Sequence, residues 1–468
     1  MGAEEARHFL ARTGFEAPLD RIEQYSGLSR REAVERELSS VRQAPRAAPP
    51  IWVYDWRVYD WQPRGRARTM SAEERLQFQR ELVSQGLELK GWWLDEMRST
   101  DTPLTERMTL FWHNHFTSSL QKVRSPVLMY RQNLLLRSHA LGGFGELLHA
   151  ASKNAAMLVY LDGAANRRGQ PNENFAREVM ELFTLGEGRY SEQDVKEAAR
   201  AFTGWSVEPE TGEFRYRPFL HDSGQKTVFG RSGELDGDQV LELLLARPET
   251  SRFIAAKLWR EFVSPAPADE RERADLERVA RTLRETGYSI RAAMRDLLLC
   301  DAFWAPANRG VLVKSPVELV VGALRQFRID YADSLPFVLV MRQLGQDLLA
   351  PPNVKGWPGG EAWISSRTLL ERRQFVERLL RVDESRMAAA AAPEGMQASD
   401  PARPMRGRLA RAILDIRFSA EEWLKPYEGR QEMLRAVLLP MPPANPAPAA
   451  QGIELVRALI ADPVYQLK

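Results

Sequence analysis

Apolar residues recur at helical spacing along most of the chain, and short polar or proline-containing breaks separate one periodic stretch from the next. This pattern predicts a mainly α-helical fold, a multi-helix bundle in which many helices begin at Pro, Ser, Thr or Asp. We expect two helices within 4–42, joined by the turn-like GFEAP and with the second start near Ser29. They are followed by helices at 71–99, 103–121, 126–139, 143–160, 172–185, 191–202, 237–246, 248–262, 268–285, 288–302, 313–328 and 334–346.

Strand character is concentrated in one stretch, WSVEPETGEFRYRPFLHDSGQKTVFG, at about residues 205–230. β-Branched and aromatic residues alternate there with polar ones around a turn at Glu210–Gly212. The sequence therefore predicts a small β-hairpin insertion in an otherwise helical protein.

Changes in composition predict five regions along the chain. In the second region, the aromatic arm, VYDW occurs twice; its aromatic rings either anchor the arm to the body or form a wall for a sugar or peptide. The fourth region is low in large apolar residues and rich in proline, as linkers are. The regions are N-terminal helices at 1–45, the aromatic arm at 46–70, a helical core domain at 71–386 that contains the β insertion at 205–230, a linker at 387–404, and a small helical C-terminal appendage at 405–468.

One amphipathic helix pattern, NENFAREVMELF, carries polar residues at the edge of a core. On a regular α-helix Asn174, Glu178 and Glu181 stack along one face. Two acids on that face repel each other unless a metal ion, an arginine such as Arg177 or Arg200, or a shared proton offsets their charges. The sequence predicts a polar cluster here and leaves these three alternatives open.

The next stretch, TLGEGRYSEQDVKEAARAFTGW, predicts the end of that helix and the start of another. Its glycines accept the left-handed backbone that closes a helix, and Ser191 with Asp194 forms the pattern of a capping box. The two stretches together predict a helix–loop–helix unit that carries Tyr190 and Trp205 as well as the two acids.

These two stretches resemble the core signature of a bacterial family classed as domain of unknown function 1800. Four further motifs are similar to those of the family and occur in the expected order, and the resemblance covers about residues 9–380. It implies no settled reaction. Members of the family are bacterial, often exported, and often encoded beside a sulfatase-like family classed as domain of unknown function 1501, which the resemblance implies as a protein partner. The four motifs are FWHNHF at 111–116, LHDSGQKTVFG at 220–230, KSPVEL at 314–319 and PPNVKGWPGGEAWI at 351–364.

Charge and cysteine content exclude several classes of protein. The 468 residues carry 65 Lys plus Arg and 63 Asp plus Glu, and the net charge of +2 gives no global field that attracts nucleic acid. No run of about 18 apolar residues occurs, so we expect no membrane span. The single cysteine, Cys300, lies in an apolar helix pattern, which excludes an internal disulfide and predicts a core thiol.

The N-terminal stretch MGAEEARHFLARTGF shows no basic region followed by an apolar one, so no export signal is visible. Because members of the family are often exported, we expect either a cytoplasmic protein or an exported one whose leader has been removed.

Histidines supply further candidate chemistry. His113 and His115 project about 200° apart on a helix, so they do not share a ligand there, and His221 lies beside Asp222 in a predicted loop. Each histidine is either a hydrogen-bonded core group or a ligand or general base. The HExxH of zincins is absent, so a metal ion remains a hypothesis of unknown identity.

Two later stretches carry polar groups on irregular backbone. Prolines and glycines in PPNVKGWPGGEAWI predict a rigid loop that presents Asn353 and Trp357, and such loops often line sites. Lys226 either closes the hairpin or supplies a cation to an anionic ligand. Ser315 and Pro316 are typical of the first residues of a helix.

No GxSxG, P-loop or dinucleotide-binding glycine pattern occurs, and this absence argues against the familiar classes of hydrolase, kinase and dehydrogenase. We expect a cleft between the helix–loop–helix unit, the His113 region and the His221 loop. The candidate catalytic residues are Glu178, Glu181, His113, His115 and His221, and the candidate ligand-binding residues are Asn174, Arg177, Tyr190, Trp205, Lys226, Asn353 and Trp357.

Two functions stay open. One is an enzyme, with or without a metal ion, that acts on a cell-envelope polymer, glycan or peptide together with a sulfatase-like partner. The other is a non-catalytic binding or maturation partner whose polar cluster is a structural ion-pair network. A pocket where Glu178, Glu181 and a histidine converge with free space favours the enzyme, whereas Arg177 or Arg200 filling that space favours the second function.

Overall fold

The computed structural model describes residues 1–54, 70–381, 403–445 and 450–468. Within these ranges the chain forms 23 α-helices and two small two-stranded sheets, which confirms the predicted mainly α-helical class. The first eleven helices are α1 Ala3–Thr13, α2 Leu19–Tyr25, α3 Arg30–Ser40, α4 Ala72–Ser99, α5 Pro103–His115, α6 Leu120–Val123, α7 Pro126–Ser138, α8 Phe144–Ser152, α9 Ala155–Tyr160, α10 Glu173–Glu178 and α11 Glu192–Ala201.

The second half of the chain is also helical after the two sheets. Its helices are α12 Gly237–Leu245, α13 Pro248–Phe262, α14 Glu270–Glu285, α15 Ile290–Leu299, α16 Asp301–Trp304, α17 Pro316–Gln326, α18 Leu335–Gln343, α19 Ser366–Leu380, α20 Arg403–Leu414, α21 Ala420–Leu424, α22 Gln431–Leu438 and α23 Gly452–Ala461.

The N-terminal region contains three helices where two were predicted. The chain leaves Gly14 and enters α2 directly after Pro18, because proline suits the start of a helix and Asp20 follows in the first turn. The predicted start near Ser29 is confirmed, since Ser29 and Glu32 form a capping box at the start of α3. The prediction missed α2 because it took that short helix for part of a connection.

Two other predicted helices are each divided by a polar cap. Residues 143–160 form α8 and α9 because the Asn154 side chain accepts hydrogen bonds from the backbone N–H groups of Ala156 and Met157. The stretch predicted as one helix at 103–121 contains α5 and the start of α6, with Ser119 as the cap of α6. The predictions joined these pairs because the apolar spacing continues across the caps.

The β insertion consists of two hairpins where one was predicted. Strand β1 Trp205–Val207 pairs antiparallel with β2 Phe214–Tyr216, and β3 Lys226–Val228 pairs antiparallel with β4 Arg231–Gly233. A short turn at Pro218–Leu220 separates the two sheets, because proline at its start has no N–H to offer a strand.

The C-terminal residues pack against the rest of the protein. The backbone N–H of Lys468 donates to Leu312 O at 2.8 Å, and that of Lys314 donates to Gln466 O at 2.9 Å. Helix α23 packs on α19, and α22 packs on α1. The predicted division into domains stays a prediction, and both most of the aromatic arm, at 55–69, and most of the linker, at 387–402, lie outside the described residues.

Local predictions about single residues are confirmed elsewhere. Ser315 caps α17 and Pro316 occupies its first turn. Cys300 is a buried free thiol, and burial raises its pKa to about 12. Among the helices that the structure describes, none is long and apolar enough to cross a membrane.

Candidate functional site

The predicted helix at 172–185 changes its winding halfway. It begins as α10, capped by Asn172, and continues from Val179 to Thr184 as a π-helix, in which the N–H of Leu185 donates to Met180 O at 2.8 Å. The π winding alters the direction of every side chain after Glu178, so Glu181 does not occupy the position that a regular α-helix gives it. Short π segments inside helices occur frequently at functional sites.

Glu178 is the last residue of α10, and its carboxyl group is half-buried. Within the described part of the chain it makes no hydrogen bond and no ion pair. Burial, and next the charge of Glu181, raise the pKa of Glu178, while Arg177 and Lys355 act in the opposite direction. A half-buried carboxyl without a partner costs folding free energy, which makes it a candidate for function.

Glu181 has a different environment from Glu178. It accepts a hydrogen bond from the hydroxyl group of Tyr190, on the loop after the π-helix. Burial, and then the hydrogen bond to Glu181, raise the pKa of Tyr190 to about 12, so the phenol keeps its proton and remains a donor. Glu178 is therefore unpaired, whereas Glu181 accepts a hydrogen bond from a neutral donor.

The two arginines, which were one of three alternatives for offsetting the acids, bind other carboxylates. Arg177 donates to Glu192 through both terminal nitrogens, at 2.7 and 2.8 Å. Arg200 donates to Asp222 at 2.8 Å and thereby lowers the pKa of Asp222 to about 2. Neither guanidinium group pairs with Glu178.

A lysine from a distant part of the chain lies beside the acids. The ammonium group of Lys355 pairs with Glu187 at 2.9 Å, and this pair, with smaller contributions from Glu178 and Glu181, raises the pKa of Lys355. Both members of the pair are exposed. We call Glu178, Glu181, Glu187, Tyr190 and Lys355 the acidic face.

The loop that carries Lys355 is held against the FWHNHF motif. The side-chain oxygen of Asn114 accepts the N–H of Trp357 at 2.7 Å, and Gly356, with φ +86°, lies directly against Asn114. The core signature, FWHNHF and PPNVKGWPGGEAWI, which are far apart in sequence, therefore meet at one place.

Gly356→Ala is expected to lower the free energy of unfolding by about 2–4 kcal/mol. This loss is the sum of two costs, that of a left-handed backbone at a residue with a Cβ and that of an overpacked contact. A Cβ at Gly356 would lie 2.2 Å from Asn114 Oδ1. Gly360→Ala in the same loop is the matched control, because its φ is +60° and a Cβ there meets nothing within 4 Å. Urea unfolding measures both variants. Equal losses would contradict the contribution of the close approach to Asn114.

His113 lies in the core and makes no hydrogen bond or ion pair with the described carboxyl groups of the acidic face. It is buried, its ring meets Trp93 edge-on at 5.5 Å between centroids, and Trp357 lies at 5.4 Å. Burial lowers the pKa of His113 to about 3, so the ring is neutral at physiological pH. Its Nε2 has no hydrogen-bond partner among the described residues.

His115 contacts the backbone of the π-helix, not its acids. Its Nε2 lies 3.2 Å from Phe183 O and its Nδ1 lies 2.9 Å from Nζ of Lys257. Burial, and next the charge of Lys257, hold the pKa of His115 well below its ordinary value. His221 belongs to another place, since its Nδ1 lies 2.9 Å from Thr203 O. The structure thus separates the three histidines.

The other candidate ligand-binding residues make contacts within the protein. Asn174 donates to Leu161 O at 3.1 Å, and Lys226 is buried and donates to Gly224 O at 3.1 Å. Asn353 is exposed, and its side chain accepts the N–H of Lys355 at 2.9 Å. The buried ring of Trp205 packs among aromatic residues, which are Phe175, Phe202 and Phe214.

Two cavities lie elsewhere on the protein. A polar one of about 400 Å³ is lined by residues that include Trp92, Asp95, Asp333 and Arg408. An apolar one of about 510 Å³ lies between α18, α19 and α20. Neither is lined by a residue of the acidic face. Among the residues that the structure describes, no three His, Cys, Asp or Glu side chains are placed to hold a metal ion together.

Sequence reasoning missed Lys257. This lysine follows Phe253 by four residues and Ile254 by three, so it lies on the apolar stripe of α13. A lysine at such a position was a visible signal, because charged residues are rarely buried without a partner. No sequence signal marked the π-helix.

Comparison with known proteins gives one match. The family model described as "Protein of unknown function (DUF1800)" matches residues 8–467, nearly the whole chain. No curated protein and no solved structure matches.

Proposed function

Since the chain belongs to the DUF1800 family, whose description states no function, we propose an activity from the acidic face: general acid–base catalysis on a polar substrate of the glycan or peptide class. The observation that carries the proposal is Glu178, a half-buried carboxyl that has a raised pKa and no hydrogen bond or ion pair among the described residues. Active sites retain such costly groups because their protonation is useful.

The two acids are suited to different tasks. Glu178, whose raised pKa keeps its proton to higher pH, supplies a general acid. Glu181, oriented by the Tyr190 hydroxyl, supplies the acceptor that takes a proton from water. Pairs of carboxyl groups in unlike environments divide acid and base work in this way in several enzyme classes.

The proposed reaction is hydrolysis of a glycosidic or peptide bond. Glu178 gives its proton to the leaving oxygen or nitrogen, and Glu181 takes a proton from the water that attacks the carbon. One bond to carbon breaks and one C–O bond forms, so that water is consumed and no other reactant is needed. The ammonium group of Lys355 stabilises negative charge that develops nearby.

The test is a search for products by mass spectrometry. Purified peptidoglycan, β-linked amino-sugar oligosaccharides and a peptide mixture are incubated with the wild-type protein, with Glu178→Gln and with Glu173→Gln. Glu173 is the matched control because it lies on the same helix but contacts Arg177 at the surface. Hydrolysis products from the wild type and from Glu173→Gln, but not from Glu178→Gln, would support the proposal.

A complete absence of products with all three classes of substrate would remove the catalytic proposal. The function left would be a non-catalytic binding or maturation role beside a protein of the sulfatase-like family. In that role the ion pairs of Arg177 and Arg200 would stiffen the helix–loop–helix unit.

A further inference from the structure

Among the described residues Lys257 pairs with no carboxylate, whereas three other inward-facing lysines each do. Lys90 pairs with Asp347 at 2.5 Å, Lys314 pairs with Glu16, and Lys468 pairs with Glu318. Lys257 has neutral neighbours instead: its Nζ lies 2.9 Å from Nδ1 of His115 and 3.3 Å from Leu182 O. An ammonium group that is buried without a counter-ion is poorly stabilised, because neutral neighbours do not replace the hydration that it loses.

The number of acceptors around Nζ agrees with a neutral amine. His115 Nε2 lies against Phe183 O, a carbonyl that can only accept, so Nε2 carries the hydrogen and Nδ1 accepts from Lys257. An ammonium group has three hydrogens to place and an amine has two. Among the described residues Nζ meets two hydrogen-bond acceptors, Nδ1 and Leu182 O, so an amine uses both hydrogens and keeps a free lone pair.

From this arrangement we infer that Lys257 is a nucleophilic amine that condenses with the carbonyl group of an aldehyde or ketone. The Nζ lone pair forms a bond to the carbonyl carbon, and one Nζ hydrogen passes to the oxygen. The second Nζ hydrogen leaves with the hydroxyl group as water, and the product is an imine. The inference is independent of the activity proposed for the acidic face.

The surroundings of Lys257 are consistent with this chemistry. Burial, and then the charge of Arg260, lower the pKa of Lys257 to about 7. His115, the other titratable group that contacts Nζ, is neutral because its own pKa is depressed. The Lys257 side chain is half-buried, and the ring centroid of Phe253 lies 4.9 Å from its Nζ.

The alternative role for Lys257 is a structural one. Leu182 and Phe183 lie near the end of the π-helix, where carbonyl groups favour a cation. A lysine that merely caps this end would stay an ammonium group and would be inert at neutral pH. The reactivity of the amine distinguishes the two roles.

The experiment is reductive alkylation of the full-length protein with a limiting amount of propanal and cyanoborohydride between pH 6 and 10, followed by peptide mass spectrometry. At pH 7 about half of an amine with the pKa of Lys257 is neutral, against on the order of one part in 10³ of an ordinary lysine. Lys257 is therefore expected to be alkylated at least about tenfold faster than the exposed Lys196 and Lys425 at pH 7.

Two variants complete the test. Lys257→Met removes the labelled peptide. In His115→Gln, which alters one of the two acceptors, the pH at which Lys257 labelling reaches half its maximum is expected to shift. Labelling of wild-type Lys257 no faster than Lys196 at pH 7, with a rise only above about pH 9, would overturn the inference without any variant.

Discussion

Glu178→Gln is expected to lower kcat by about 10²- to 10⁴-fold on the substrate that the product search identifies, because it removes the proton donor and preserves the shape of the side chain. The substitution leaves no new buried charge, so KM should change little. Steady-state kinetics measure the loss, and Glu192→Gln is the control, since Glu192 pairs with Arg177 at an exposed position. Equal kcat values for Glu178→Gln and the wild type would contradict the role of Glu178.

The stability of the same variant separates catalysis from structure. The folded-state pKa of Glu178 is raised, so the folded protein holds this proton at a pH where the unfolded chain has released it. The carboxyl therefore destabilises the folded state increasingly as pH rises through the folded pKa, and this effect is absent below the unfolded pKa, near pH 4. Glu178→Gln should unfold at an equal or higher urea concentration at pH 7. A variant that is both inactive and less stable at pH 7 would indicate a structural role.

The second large effect is expected in the core. Arg137→Met should lower the free energy of unfolding by about 3–5 kcal/mol, because it leaves the buried carboxylate of Glu106 without its counter-ion. The guanidinium group donates to Glu106 at 2.7 and 2.9 Å, and the two side chains are 0% and 1% exposed. Trp93 donates to the same carboxylate at 2.9 Å. Urea unfolding monitored by tryptophan fluorescence measures the change.

The matched control is Arg273→Met, which breaks the exposed pair with Glu270 and should not shift the urea midpoint measurably. Addition of Glu106→Gln to Arg137→Met should recover part of the lost stability, because it removes the unpaired charge. Equal shifts of the urea midpoint in Arg137→Met and Arg273→Met would mean that burial of Glu106 does not make its counter-ion more important for stability.

Caps and glycines made much of the helical fold predictable. Ser29, Ser71, Ser191 and Ser315 all cap helices where the sequence places them, since a capping box involves residues three apart. Gly186 and Gly188 have φ values of +86° and +74° in the loop that was predicted to close the helix. These features depend on neighbouring residues alone.

The candidate site was predicted in part. The sequence indicated Glu178, Glu181 and Tyr190 as one polar unit, and the structure shows Tyr190 bound to Glu181. It also indicated that His113 and His115 point to different sides of their helix, but not that Lys355 lies beside the two acids or that His221 belongs to another place. Periodicity identifies the residues that share a helix face, but it carries no information on which faces meet.

The sequence by itself determined the helical class, most helix starts and the family, because hydrophobic spacing, caps and motifs act within short stretches. Only the tertiary structure decided the π winding after Glu178, the contact of Lys257 with His115 and the anchoring of Gly356 on Asn114. Contacts between residues 142 and 75 positions apart hold Lys257 in place. Such contacts form only when whole helices pack, so the protonation state of Lys257, and the chemistry we infer from it, depends on the assembled fold.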